Sequence, residues 1–461
     1  MQRVDAPPID TDARMVGGFG GGVQADVLVA RPADADDAAA AVAWWRSARP
    51  AAGAPGTIAR GLGRSYGDAA HVSGGLVLEM TRLRGLRLDR GSGTVTASAG
   101  VTIGELLAAL VPVGWMLPVV PGTQHVTVGG AIASDVHGKN HPSAGSFGMH
   151  VQALGLLSAA GEVRELDAGD ELFAATLGGM GLTGVILWAR IGLVRVASDQ
   201  VAVDTDRVRC LDDALELLAA PAAATHRIAW LDLLTSKPGR GIVTRSEHVP
   251  EGHGEAAAYR QLDARLTVPA RWPAGLLRTA TMRAFNALRY RRTPRRERGR
   301  PQLLAANLFP LDSLNRWPRL YGSQGLLQYQ FVIPSGQERV LEEAISRLAK
   351  ARVPVFLATL KALGRPSVGP LSFPLAGWTL AVDLPRAVVG AGDVLDSLDG
   401  LVARAGGRVY LTKDARLRAD ALRSMYPKLD IWQAVRDRVD PDRVWRSDLA
   451  VRTGLVASGD R

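Results

Sequence analysis

The stretch PGTQHVTVGGAIASDVHGKNHPSAGSFG, Pro121 to Gly148, carries six glycines, two prolines and three histidines. Neither a long helix nor an ordinary strand accommodates that density of glycine, so it reads as a chain of tight turns. Glycine admits positive φ and lets successive amide N–H groups converge, which can enclose an anion such as a pyrophosphate without a basic side chain. A diphosphate-bearing cofactor is the ligand this predicts, and a turn-rich surface loop is the plainer alternative. A second glycine turn, GLGRSYGD from Gly61 to Asp68, follows a short predicted strand at Thr57–Arg60 and pairs naturally with the first.

Around these turns the chain runs to 461 residues, too long for one ordinary core, so two domains are expected. Apolar residues at 47% against 22% charged describe a globular protein. The single cysteine, Cys210, excludes an internal disulfide and any cysteine-rich metal site. The N-terminus, MQRVDAPPIDTDARM, has prolines and aspartates where a secretion signal needs an apolar run, so no cleavable signal is expected. Pro112, Gly114 and Pro118 interrupt the apolar window Leu106–Val120, and no transmembrane segment is expected either. Net charge is +10, and the block RYRRTPRRERGR, Arg289 to Arg300, holds seven arginines against one glutamate. Such a block seeks phosphate on a lipid head group, a substrate or a nucleic acid, or is a solvated loop. No nucleic-acid reading module accompanies it.

Asp36–Arg49 begins with acids and ends with arginines, which predicts a helix. Thr102-Ile-Gly-Glu105 is a capping box opening a helix through Leu110. Strands are expected at Leu76–Met80, Thr94–Ala99 and Val185–Val194, a hairpin pair at Val151–Ser158 and Glu162–Leu166, and a short helix at Asp170–Thr176. The second half changes rhythm: strand Leu326–Pro334, helix Ser335–Lys350 from a capping box at Ser335–Glu338, strand Val355–Lys361, strand Trp378–Leu384, helix Val388–Ala405, strand Arg408–Leu411. Repeated strand–helix–strand units predict an antiparallel sheet with helices on one face. Because side chains alternate along a strand, Thr379, Ala381 and Asp383 share a side, as do Gln328 with Gln330 and Thr359 with Lys361. These polar groups suit a polyhydroxylated ligand, although a solvated sheet face explains them too.

Three short motifs point elsewhere. Gly179–Gly184 matches GxGxxG but precedes a strand, whereas a nicotinamide fingerprint follows one and opens a helix. Gly63–Gly67 matches the hydrolase elbow GxSxG, yet DAAHVSGG after it offers little helix for Ser65 to sit on. His137 and His141 have HxxxH spacing without a zincin glutamate or an obvious third ligand, so no metal site is expected.

GLGRSYGD, PGT with VTVGGAIASDVHGKN, and GGMGLTG, in that order, resemble the FAD-binding domain of vanillyl-alcohol-oxidase-type (PCMH-type) flavoenzymes. More closely, Ile58–Asp68, Pro121–Gly148, Leu327–Pro334 and Leu371–Pro374 are similar to the decaprenylphosphoryl-β-D-ribose oxidase family, flavin subunits of the arabinose-donor epimerases. The likeness spans nearly the whole chain and is weakest from Val201 to Arg300. It implies an α+β, two-domain fold: residues 1–197 binding FAD, 198–410 an antiparallel-sheet substrate domain, and 411–461 returning to the FAD domain.

FAD contacts implied by the resemblance are Ala59, Arg60, Gly61, Leu62, Gly63, Arg64, Ser65, Tyr66, Gly67, Asp68 and Ala69 in the first turn. Gly122, Thr127, Val128, Gly129, Gly130, Ser134, Asp135, Val136 and His137 follow in the second, with Tyr410 and either Val185 or Ile186 near the flavin. Tyr66, His137, Lys139, Gln328, Gln330, Lys361, Thr379, Asp383 and Lys413 would surround the substrate. The implied reaction is oxidation of the ribose C2 hydroxyl of a polyprenylphosphoryl ribose to a ketone, with Lys413 or His137 as the base. The sequence leads us to expect a cytoplasmic or peripheral membrane location, with the periplasm as the alternative the family suggests, and the resemblance further implies a membrane-borne substrate, a short-chain NAD-dependent reductase as second epimerase subunit, and arabinan for the cell wall. Arg64 and Ser65 stand where many sugar oxidases carry a flavin-tethering histidine, so FAD is expected to be non-covalent. Familiar members carry a cysteine at the position of Ala381, the target of nitroaromatic inhibitors, and no such trapping is expected here. The alternatives are an oxidase of a soluble sugar, alditol or aldonolactone, and a non-catalytic flavin-binding envelope scaffold.

Overall fold

The computed structural model describes residues 7–48, 55–220, 224–235, 238–250, 259–264, 266–269 and 277–456. The predicted strand ahead of the first glycine turn is β3 (Thr57–Arg60), which lies parallel to β4 (Leu76–Glu79). β4 is in turn parallel to β2 (Gln24–Ala30), and β1 (Thr11–Gly17) pairs antiparallel with β2. Parallel neighbours need a crossover, and α1 (Ala35–Ala48) supplies it, burying Ala38, Ala41, Val42 and Trp45. Arg49 falls outside the described residues.

The hairpin region builds an antiparallel sheet. Its strands are β5 (Leu86–Asp89), β6 (Thr94–Ser98), β8 (Val151–Leu157), β9 (Val163–Asp167) and β10 (Val185–Gly192), in the order β5-β6-β10-β8-β9. Short β7 (Trp115–Met116) pairs separately with β11 (Val194–Arg195). Helix α2 (Ile103–Leu110) starts on the expected capping box: Glu105 N–H donates to Thr102 Oγ1 at 3.1 Å and Thr102 N–H to Glu105 Oε2 at 2.8 Å. The opening stretch is not turns alone. Thr127 Oγ1 accepts from Gly130 N–H and starts α3 (Val128–Ala133), α4 (His141–Ala144) follows, and α5 (Glu171–Thr176) precedes GGMGLTG. Glycine inside α3 has a packing cause, because a Cβ on Gly129 would press on Ala99.

An eight-stranded, wholly antiparallel sheet dominates the second half. It contains β12 (Gln200–Val208), β13 (His226–Asp232), β14 (Arg240–His248), β16 (Arg296–Leu303), β18 (Leu326–Pro334), β19 (Leu357–Leu363), β20 (Gly377–Pro385) and β21 (Arg408–Val409), in the order β16-β12-β14-β13-β19-β20-β18-β21. β15 (Leu266–Thr267) and β17 (Leu314–Asn315) form a small parallel pair. Helices α6 (Leu211–Ala219), α9 (Glu338–Lys350) and α10 (Ala391–Arg404) pack on one sheet face. Tyr329 OH donates to Asp399 of α10 at 2.9 Å and Trp378 Nε1 to Glu338 of α9 at 2.9 Å. α7 (Thr279–Arg292) and α8 (Leu304–Leu308) flank β16 in the chain.

The box predicted at Ser335 does not form. α9 begins at Glu338, whose carboxylate accepts from Gly336 N–H and Trp378 Nε1 and is thereby drawn away from Ser335. α10 likewise starts at Ala391, three residues late, and the last strand is only Arg408–Val409 because the chain turns at Tyr410.

After β21 the chain passes through α11 (Ala419–Met425), α12 (Leu429–Val439) and α13 (Asp448–Arg452), and runs back against the first half. Trp445 bridges Thr57 in parallel sense, Trp432 Nε1 donates to Ala175 O at 2.9 Å, and Arg452 binds Asp68 at 2.8 Å.

Candidate active site

The two glycine turns face one another across a cavity of 740 Å³, towards the upper end of ligand pockets. Gly61 packs against Thr127 so closely that a Cβ would overlap Thr127 Oγ1, and one on Gly67 would overlap the carbonyl oxygen of Asp414. Glycine is therefore what allows the first turn to touch both the cap of α3 and the segment after β21. The amides of Leu62, Gly63, Arg64 and Ser65 have no acceptor among the described residues, and Gly63 has φ +61°. Four consecutive free donors beside a cavity are the donor set an oxyanion requires. Gly122 borders the same space, with nothing within 4 Å of its Cβ position. These residues fit the diphosphate of FAD.

The far wall is the face of the large sheet opposite α6, α9 and α10. Register pairs Gln328 with Asp383, Gln330 with Ala381, Thr359 with Ala381 and Lys361 with Thr379, so the polar set shares one face as strand alternation requires. Thr379 Oγ1 donates to Phe331 O at 2.8 Å, which leaves its oxygen to accept from Gln330 Nε2 at 3.1 Å. That fixes the amide, whose Nε2 also meets His137 Nε2 at 3.0 Å. The network thus assigns His137 Nε2 as an acceptor and puts the ring proton on Nδ1, which faces Lys361 Nζ at 3.4 Å. A neutral amine can accept that proton whereas an ammonium cannot. Burial, helped by Lys139 and Lys413, pushes Lys361 down to about 7. Burial and then the Lys361 charge hold His137 well below the usual histidine range, so it is neutral at pH 7.

Lys413 sits 4.2 Å from the Tyr66 ring centroid, where burial lowers it to about 8 against the opposing pull of Asp383. Asp383 accepts from Gln328 Nε2 at 2.5 Å, and burial raises it to about 6. Lys139, lowered by burial to about 8, donates to Asn307 O. Tyr410 stacks on Phe373 with centroids 4.5 Å apart, and its OH donates to Ser134 O at 2.8 Å, joining the sheet edge to α3.

Of the sequence-predicted residues, Ala59 through Tyr66, Ala69, Gly122, Thr127, Gly129, Gly130, Ser134, Val136, His137, Lys139, Ile186, Gln328, Gln330, Lys361, Tyr410 and Lys413 border the cavity. Six do not. Gly67 is packed against Asp414, Asp68 is paired with Arg452, and Val128 is in the core. Asp135 is buried among Ser146, Gly148 and Ser372, while Thr379 and Asp383 lie behind the amides of Gln330 and Gln328. Val185 is in the core and Ile186 borders the cavity. Missed were Phe19, Trp230 and Trp317, all on the wall, which Arg289, the first of the arginine block, also borders. Phe19 lies in GGFGGG, Gly17 to Gly22, whose glycine density was a usable signal: its N–H donates to Ser65 O at 2.7 Å and its ring lies 5.4 Å from Tyr66. His141 Nδ1 is taken by Gly364 N–H at 2.9 Å, and among the described residues no group of three His, Cys, Asp or Glu could hold a metal ion.

Residues 27–167 match the family model described as FAD binding domain, and residues 391–453 the model of D-arabinono-1,4-lactone oxidase. The chain is 40% identical over 417 residues to decaprenylphosphoryl-beta-D-ribose oxidase of Mycolicibacterium smegmatis, covering 88% of this chain and 90% of that protein. It is 40% identical over 370 residues to an uncharacterized protein in the mprA 5' region of Streptomyces coelicolor, covering 77% of this chain and 100% of the other. L-gulono-1,4-lactone dehydrogenase of Mycobacterium tuberculosis is 24% identical over 403 residues, 85% of this chain and 89% of its own length.

Proposed function

The chain belongs to the decaprenylphosphoryl-β-D-ribose oxidase family of FAD-binding oxidoreductases, and on that footing we propose that it oxidises the ribose C2 hydroxyl of a polyprenylphosphoryl-β-D-ribose to the ketone. One observation carries this: the amide cradle opens onto the same cavity as Lys413, Lys361, His137, Gln328 and Gln330. Bound FAD supplies the hydride acceptor that no side chain provides. Leu62–Ser65 and Gly122 would hold its diphosphate, and Tyr410 and Ile186 would lie against its ring system. Lys413 takes the hydroxyl proton as the C2 hydrogen leaves with its electron pair. His137 is the poorer base, since Gln330 already occupies its acceptor nitrogen, and serves to orient. Gln328, Gln330 and Lys361 bind the sugar hydroxyls, with Asp383 and Thr379 fixing the amides from behind.

Residues 1–197 with 411–461 form the cofactor domain in this reading, and 198–410 the substrate domain. FAD is non-covalent, so acid precipitation releases the yellow colour to the supernatant. The ketone requires a second, reducing enzyme to complete epimerisation, which makes a short-chain NAD-dependent reductase the natural partner and the arabinose donor for cell-wall arabinan the end product. The arginine block suits a peripheral site at an anionic membrane. Among the described residues no helix is long and apolar enough to cross one.

The test is anaerobic titration of the holoenzyme with polyprenylphosphoryl ribose. Stoichiometric bleaching of the flavin is expected, with none on adding a soluble sugar or aldonolactone. Bleaching by the lactone alone would transfer the assignment to the lactone oxidases, and no bleaching by either would leave a flavin-binding scaffold.

A further inference from the structure

α7 stands at the cavity mouth, where Arg289 borders the cavity and lies 4.7 Å over the Trp230 ring. Its inner side is anchored. Asn286, buried, donates to Asp232 at 3.0 Å, Tyr290 OH to Val208 O at 3.1 Å, and Arg283 Nε to Leu234 O at 2.8 Å. The same helix leaves Phe285 and Leu288, three residues apart and hence on one face, 54% and 48% exposed. Just beyond, Arg291, Arg292 and Arg295 have no acidic partner among the described residues, whereas Arg296 and Arg298 are paired with Asp206 and Arg300 with Glu297. Across the mouth Leu266 is 70% exposed beside Leu314, which lines the cavity, and Leu311, 39% exposed, lines it directly.

Bulky apolar side chains in solvent next to unpaired guanidiniums match the boundary layer of an anionic bilayer, where the rings and branched chains enter the acyl edge and the cations meet phosphates. A nucleic acid would use the arginines and leave Phe285, Leu288 and Leu266 unexplained. A second copy of this chain brings its own +10 charge. We propose that the outer face of α7, with the arginines after it, seats the protein on anionic lipid. The cavity mouth then rests on the membrane surface, and, on the reading above, an isoprenoid-tailed substrate enters without leaving the bilayer.

The experiment is co-sedimentation of the full-length holoenzyme with phosphatidylcholine vesicles, with and without phosphatidylglycerol. Variants are Phe285→Ser with Leu288→Ser, and Arg291→Gln with Arg292→Gln and Arg295→Gln; unchanged flavin content and thermal midpoint establish that they fold. Wild type is expected to pellet with phosphatidylglycerol vesicles, and each variant to lose roughly tenfold or more in partitioning. Equal pelleting of wild type and variants overturns the proposal, as does no pelleting of wild type, or variants that change only the oligomeric state. Flavin bleaching by detergent-dispersed polyprenylphosphoryl ribose, run on the same samples, reports separately on the activity: bleaching without pelleting sinks only the membrane face, and pelleting without bleaching only the oxidase reading.

Discussion

At the level of single residues, the proposed oxidation depends on amines whose charge burial makes easier to lose. Lys413, held near 8, must be neutral to take a proton. Flavin reduction by substrate is therefore expected to rise about tenfold per pH unit below 8 and level off above it, as followed by stopped-flow absorbance. Lys413→Ala should slow that step by roughly a hundredfold or more with FAD retained, and a flat pH profile would remove Lys413 as base. Lys361 carries a stability consequence of opposite appearance. Its folded value of about 7 lies below the ordinary 10.5, so between those values the unfolded chain binds more protons and stability from this group rises with pH. Below about 7 both states are protonated and the folded state bears the full burial penalty. Lys361→Met should raise the apoprotein's unfolding midpoint at pH 6.5, with the gain fading towards pH 10.5. The polar wall could be read from the chain because strand alternation has period two. That Thr379 and Asp383 lie behind it could not, since both share the face with the longer glutamines that cover them.

Among the elements, the glycine turns separate two kinds of requirement that look identical in sequence. Gly61 faces Thr127, so Gly61→Ala displaces the cap of α3 and should lower both stability and flavin content. Gly122 faces open cavity, and Gly122→Ala should leave the apoprotein's thermal midpoint unchanged while weakening FAD about tenfold, read by flavin titration of apoprotein. Equal loss of stability in both would refute the distinction. Local signals served well at β3, β18 and α2, which begin and end as the residues indicate. They failed at Ser335, where Trp378, forty residues onward, claims the glutamate the cap needed. Trp230 escaped notice for the same reason, since β13 meets β19 only through contacts distant in sequence.

On the scale of the whole molecule, the C-terminal helices fasten the first glycine turn. Arg452 bonds Asp68 at 2.8 Å and Asp414 at 2.9 Å, both carboxylates being buried. Arg452→Leu leaves two buried acids facing one another and should cost about 3 kcal/mol in chemical denaturation, with looser FAD. A loss confined to flavin affinity would show that this pair shapes the turn without holding the fold.

The pairing of β3 with Trp445 also bears on biosynthesis. A ribosome delivers the edge at Thr57 early and its partner nearly four hundred residues later, so the nascent polypeptide carries an unfinished border through most of its elongation. On the proposed reading, cofactor capture then waits for synthesis of the last helices. Stalled chains ending before the last helices should remain colourless, and expression host chaperones, more than riboflavin supply, should limit the yield of yellow protein.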